Sequence, residues 1–174
     1  SFFATPFVVL LPFYVEGSLR APVDWYGFIL AAFGVGSLLG FVLAGVASLR
    51  GQKRATVLIV VMLLDAVFYG LLAPVRTPVL ALVMATLAGL TGGFVTVNIT
   101  TLLQLGTPTE MRGRVFGLLS TIAGSVTPIG TGLSGIVADL TGKRIPLIFA
   151  LSALALFAIS AILATNRDIR AFLA

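Results

Sequence analysis

Residues 117–144 read GLLSTIAGSVTPIGTGLSGIVADLTGKR, an apolar stretch punctuated by Gly117, Gly124, Gly130 and Gly135 and closed by Lys143-Arg144. Ninety residues earlier, 27–54 read GFILAAFGVGSLLGFVLAGVASLRGQKR, with Gly27, Gly34, Gly40 and Gly45 in the same four places and Lys53-Arg54 at the same end. Coincidence of spaced glycines and a basic pair at one fixed offset marks an internal repeat.

The surroundings decide what kind of repeat this is. Of 174 residues, 59% are hydrophobic and only 10% charged, outside the range of a soluble globular domain. Six apolar segments follow one another at about 1–15, 25–49, 55–75, 79–105, 114–138 and 146–165, against the roughly 20 residues a bilayer crossing needs. Turns that combine breakers with charge separate them: Glu16-Gly17-Ser18, Gly51-Gln52-Lys53-Arg54, Arg76-Thr77-Pro78, Thr107-Pro108-Thr109-Glu110 and Thr141-Gly142-Lys143-Arg144. The offset superposes the first three segments on the last three, and a repeat of three spans must invert across the membrane. The expected fold is therefore an all-α integral membrane protein with six transmembrane helices in two inverted three-helix repeats, 1–75 and 79–165, and a tail at 166–174. The offset also pairs the start of the fourth segment, near Val79, with a position before Ser1. The chain is thus expected to be a fragment that enters its first helix part-way along.

The charge pattern sets the orientation. Arg50, Lys53, Arg54, Arg112, Arg114, Arg167 and Arg170 fall on one side, and Arg20, Arg76, Lys143 and Arg144 on the other. The richer side is expected in the cytoplasm, which makes the C-terminus cytoplasmic. The net charge of +5 resides in these short loops, where it reads as a topology signal and a contact to anionic lipid rather than a nucleic-acid surface. With no Cys and no His, thiol nucleophiles, imidazole bases and the usual zinc sites are out of reach, and no cofactor is expected.

Several residues stand out. Ala32, Gly36, Gly40 and Ala44 recur every fourth residue in the second segment, and Ser120, Gly124, Pro128 and Gly132 do so in the fifth. Such small-residue ridges let helix backbones approach closely in lipid. Pro128 removes a backbone donor, and with Gly124, Gly130 and Gly132 it is expected to form a hinge. The fourth segment is the most polar, with Thr91, Thr96, Asn98, Thr100, Thr101 and Gln104; Thr91, Phe94, Asn98 and Thr101 share one face. An Asn side chain cannot be fully satisfied within its own helix, so Asn98 should face protein or a water-lined cavity. Asp65 is the one ionisable side chain near a midplane. It is either a proton-coupling group or a neutral structural one bonded to Tyr69 one turn away. Arg54, Glu110, Arg112 and Arg114 lie in expected cytoplasmic turns, as solvated charge or as an inner gate. Pro6 and Pro12 imply a distorted first helix that ends in Phe13-Tyr14.

Leu11-Pro12-Phe13-Tyr14, the run from Trp25-Tyr26-Gly27-Phe28 through Gly34-Val35-Gly36 to Gly40, and Gln104 to Pro108 followed by Glu110 and Arg112-Gly113-Arg114-Val115 resemble, in order and spacing, the C-terminal six-helix half of the major facilitator superfamily. They are most similar to its drug-exporting branch, which includes macrolide efflux pumps and the enterobactin exporter. The resemblance implies that the first and fourth helices line a central cavity, that the second and fifth contact the other half, and that the third and sixth are peripheral. That last placement favours the structural role for Asp65. One departure is that Ser48 or Leu49 stands where the family's cytoplasmic signature loop carries an acid, while Gly135, Ala138, Asp139, Gly142, Lys143 and Arg144 match better on the opposite side. Either the inner gate lacks its acid or the orientation is inverted.

The function expected from these features is secondary active transport in the bacterial inner membrane. The leading form is proton-coupled export, by alternating access, of bulky and mostly apolar compounds such as drugs, with an absent N-terminal six-helix half as partner. Tyr14, Phe94, Asn98, Thr101 and Gln104 are the candidate substrate contacts. An anionic substrate is disfavoured because no Lys or Arg lies within a span. The alternatives are import, another small solute, or a non-transporting scaffold. An intramembrane enzyme is disfavoured because Asp65 has no base beside it in the sequence.

Overall fold

The computed structural model describes residues 5–47, 49, 51–142 and 144–166. Every regular element among them is helical: α1 (Thr5–Gly17), α2 (Asp24–Val46), α3 (Gly51–Leu71), α4 (Pro78–Gly106), α5 (Arg112–Leu140) and α6 (Ile145–Thr165), with a 3-10 turn at Thr109–Met111 leading into α5. Helices α2 to α6 are each long and apolar enough to cross a membrane, so the chain is a multi-pass membrane protein with five candidate spans among the described residues. α1 has 13 residues and runs through Pro12, shorter than a crossing requires. Four of the basic residues used to assign sides, Arg50, Lys143, Arg167 and Arg170, lie outside the described residues, as do Ser48 and the tail beyond Asn166.

Helix boundaries follow local chemistry. Pro78 opens α4 and Pro146 falls in the first turn of α6, where a missing N–H breaks no helical bond. Gly51 and Gly142 adopt φ of 56° and 61°, the left-handed turn that glycine takes without steric penalty. The expected polar turn at 51–54 is corrected here, because α3 begins at Gly51. Once that glycine has turned the chain, Gln52, Lys53 and Arg54 are good helix formers. Arg112 and Arg114 likewise open α5 rather than sit in a loop, and Glu110 alone of that group stays in the connection.

Neighbour contacts give the helix directions. Gly36 faces Thr86 and Leu90, while Gly40 faces Leu90 and Phe94, so α2 and α4 run parallel. Asp65 meets Thr91 whereas Arg54 meets Asn98, so α3 runs antiparallel to α4. The most extensive contact is α2 with α4; α3 packs on α4 and α6, and α1 on α5, α6 and α2.

Two cores result. One gathers Phe7, Leu10, Leu11 and Tyr14 of α1 with Leu72, Ile145 and Phe149. The Tyr14 ring lies 5.1 Å from that of Phe149, and its hydroxyl donates to the Leu72 carbonyl at 2.6 Å, with the Val75 carbonyl a longer, shared acceptor at 3.2 Å. The second core joins Ala55, Leu58 and Ile59 of α3 to Phe94 and Leu102 of α4.

Candidate functional site

The polar face of α4 is split by its neighbour α3. Thr91, Phe94 and Asn98 are buried, Thr101 is half-buried and Gln104 is exposed. The amide of Asn98 donates from Nδ2 to the Phe94 carbonyl at 3.0 Å, and Thr101 donates to Val97 at 2.8 Å, the local back-bonding open to polar side chains in a helix. Arg54 reaches across from the first turn of α3 and donates from Nη2 to the Asn98 main-chain carbonyl at 3.2 Å; its Nε is buried without a hydrogen-bond partner. The premise that no cation reaches a span is thereby corrected: helix α3 starts early enough to carry a guanidinium onto the α4 face. Tyr14 stands apart from these residues, in the core that α1 forms with α6, the loop after α3 and the first turns of α4.

Asp65 points at α4. Its Oδ1 accepts from the Thr91 hydroxyl at 2.7 Å, with Gly92 of α4 close beside the carboxylate. Tyr69, the neighbour expected from spacing alone, has its ring edge-on to Phe7 at 5.6 Å. Thr91 also lies 3.1 Å from the carbonyls of Leu87 and Ala88. A hydroxyl has one proton to donate, so Thr91 can serve an ionised Asp65 or a carbonyl of its own helix, but not both at full strength.

Beneath the polar face runs a seam of glycines. A Cβ at Gly36 would collide with the carbonyl of Thr86, at Gly40 with that of Leu90, at Gly89 with that of Phe33 and at Gly93 with that of Ser37. The α2 ridge is therefore met by a second one on α4, Ala81, Ala85, Gly89 and Gly93, all buried. Its four-residue spacing is present in the sequence, on the same helix as the polar residues.

α5 differs. It is helical through Pro128 from Arg112 to Leu140, and buries only Gly130, Ser134 and Ala138. Gly117, Gly124, Gly132 and Gly135 have nothing within 4 Å of where a Cβ would stand. Its hydroxyls bond back one turn, Thr121 to Gly117, Ser125 to Thr121, Thr127 to Ala123 and Thr131 to Thr127, which satisfies them in lipid and tends to bend a helix. Sequence reading passed over this run of hydroxyls, which rivals that of α4. An apolar cleft of about 260 Å³ separates α5 from α1 and α6, lined by Pro6, Gly130, Leu133, Ser134, Ile148 and Leu151 among others. At its N-terminus Arg112 donates from Nε to the Thr107 carbonyl at 3.2 Å, and Glu110, Arg112 and Arg114 are all exposed.

Comparison with known proteins places this architecture. A family model described as Major Facilitator Superfamily matches residues 1–170. A multidrug efflux pump, Tap, of Mycolicibacterium fortuitum is 32% identical over 116 residues, which are 67% of this chain and 28% of that pump. The chain thus matches well under a third of the length of its curated relative. No solved structure matches it. With a family match along nearly its whole length and a bundle of membrane-length helices, the chain belongs to the major facilitator superfamily.

Proposed function

We propose that the chain is the C-terminal half of a secondary transporter that exports bulky, mostly apolar compounds such as drugs, coupled to proton entry. The observation that carries this reading is the family match over residues 1–170; the kinship with a protein named as a multidrug efflux pump supports export of drugs. The helix contacts agree with two inverted three-helix repeats. Exchanging α1–α3 for α4–α6 turns the α2–α4 contact into α5–α1 and the α3–α4 contact into α6–α1, and all four occur. In this reading the sealed α2–α4 pair is the fixed wall, α5 is the moving element with its hinge at Gly124, Pro128, Gly130 and Gly132, and the missing half covers the faces of α2 and α5 that stand open. Gln104 and Thr101 mark the cavity side of α4, while Phe94 and Asn98, buried where α3 packs, and Tyr14, in the other core, support the wall from behind. The C-terminus is cytoplasmic in the inner membrane, with Arg54, Glu110, Arg112 and Arg114 at the inner mouth.

Asp65 and Thr91 form the proposed proton-responsive pair. In cells expressing the full-length gene, drug accumulation should fall below that of empty-vector cells, and a protonophore should abolish the difference. Asp65→Asn should leave the protein in the membrane and remove the dependence of efflux on the proton gradient. Unchanged proton-driven efflux in Asp65→Asn sinks the coupling role, and unchanged drug accumulation with the wild-type gene sinks the export reading.

A further inference from the structure

Two arginines at one end of the bundle have no part in the transport reading. Arg20, between α1 and α2, and Arg76, between α3 and α4, are both exposed, and with Gly17, Ser18 and Leu19 they line a cavity of about 430 Å³. No carboxylate is among its lining residues. The floor is rigid. Leu19, Leu72 and Val75 are buried beneath it, the Ser18 and Leu19 amides both donate to the Tyr14 carbonyl, and the Tyr14 hydroxyl donates to Leu72 and Val75. One tyrosine therefore ties together the two loops that carry the guanidinium groups. Arg20 is held at φ 50°, where non-glycine residues are uncommon.

The height of the cavity follows from its neighbours. Trp25 and Tyr26 open α2 a few residues after Arg20, and such residues gather at the membrane–water interface. Exposed Val23 just before α2, Phe28 on α2, and Val79 and Leu80 on α4 offer apolar surface next in sequence to the two loops. A guanidinium fork matches phosphate oxygens in two-point hydrogen bonds. We infer that Arg20 and Arg76 jointly bind the phosphate group of an anionic phospholipid at this face of the membrane. The lipid is favoured over free phosphate because the adjoining apolar surface accepts acyl chains. This also gives a reason for cations on the face that the positive-inside count leaves poorer in them. The inference is independent of what is transported.

The test is native mass spectrometry of the purified full-length protein given an equimolar mixture of phosphatidylglycerol and phosphatidylcholine. Wild type should retain phosphatidylglycerol about tenfold or more in preference, as two interfacial arginines would supply. The Arg20→Gly, Arg76→Gln double variant should lose most of that preference, and the Arg20→Lys, Arg76→Lys variant should keep part of it. Glycine relieves the left-handed position, so the first variant should fold, and its thermal unfolding is checked on the same sample. Equal retention of the two lipids by wild type, or an undiminished preference in a folded double variant, overturns the site. Displacement of phosphatidylglycerol by millimolar inorganic phosphate alone reassigns it to a free anion and overturns the lipid claim.

Discussion

The α2–α4 seam and the α5 helix are built from the same material and are packed differently among the described residues. Both carry small residues at four-residue intervals in apolar, membrane-length helices. In the seam, Gly36, Gly40, Gly89 and Gly93 each press their Cα against a carbonyl of the opposite helix, the close approach in which Cα–H groups meet carbonyl oxygens and dispersion contact is densest. In α5, Gly117, Gly124, Gly132 and Gly135 face open space. Spaced glycines thus do not by themselves make an interface. They make one where a second ridge of matching spacing runs alongside; at these α5 positions, as at Gly27, Gly34 and Gly45 of α2, the described residues supply no such ridge. Pro128 removes the amide that would bond the Gly124 carbonyl, which deepens the difference.

The comparison can be broken by substitution. The largest expected effect is in the seam: Gly89→Val drives a branched side chain into the Phe33 carbonyl and should destabilise the protein by about 3 kcal/mol or more, read as loss of folded protein in membranes or a lowered unfolding midpoint. A tolerated valine would mean that the helices are not in backbone contact. Next comes Pro128→Leu, which supplies the residue found at the matching place of the repeat, Leu38. It restores the missing helical bond, so stability should hold or rise while substrate turnover slows several-fold. Equal turnover would remove α5 as the flexing element. The smallest effect is expected for Gly124→Ala, whose methyl group meets none of the described residues and whose higher helix propensity should raise stability by about 0.5–1 kcal/mol; a loss instead would place the other half of the transporter against this position.

Much of this fold was legible because its dominant signal is composition. Apolar runs and the breakers between them locate each helix to within a few residues, and the ridge of Ala32, Gly36, Gly40 and Ala44 is visible by spacing alone. What the ridge packs against was not legible, because a helix pattern carries no information on its partner. The same limit explains Asp65. Local spacing offered Tyr69 at i+4, whereas the bonded partner is Thr91, 26 residues away on the neighbouring helix. Arg54 was misread for a different reason. A basic run after a glycine looks like a turn, yet Gly51 completes the turn alone and Arg54 is carried on α3 to the face of α4. The sequence places Tyr14 at the end of an aromatic motif on an expected cavity helix. Its hydroxyl is instead bonded to two carbonyls at the end of α3, a contact that no one-helix pattern reveals.

The most direct measurement is a pair of spin-label distances in the full-length protein, followed with and without substrate and a proton gradient. Labels at exposed Leu38 of α2 and Thr96 of α4 report on the seam, and labels at Thr96 and exposed Thr121 report on α5. A fixed wall with a moving α5 predicts an unchanged Leu38–Thr96 distance and a Thr96–Thr121 distance that shifts between two populations. A seam distance that changes as much as the α5 distance, or an α5 distance that stays constant through the cycle, would contradict it.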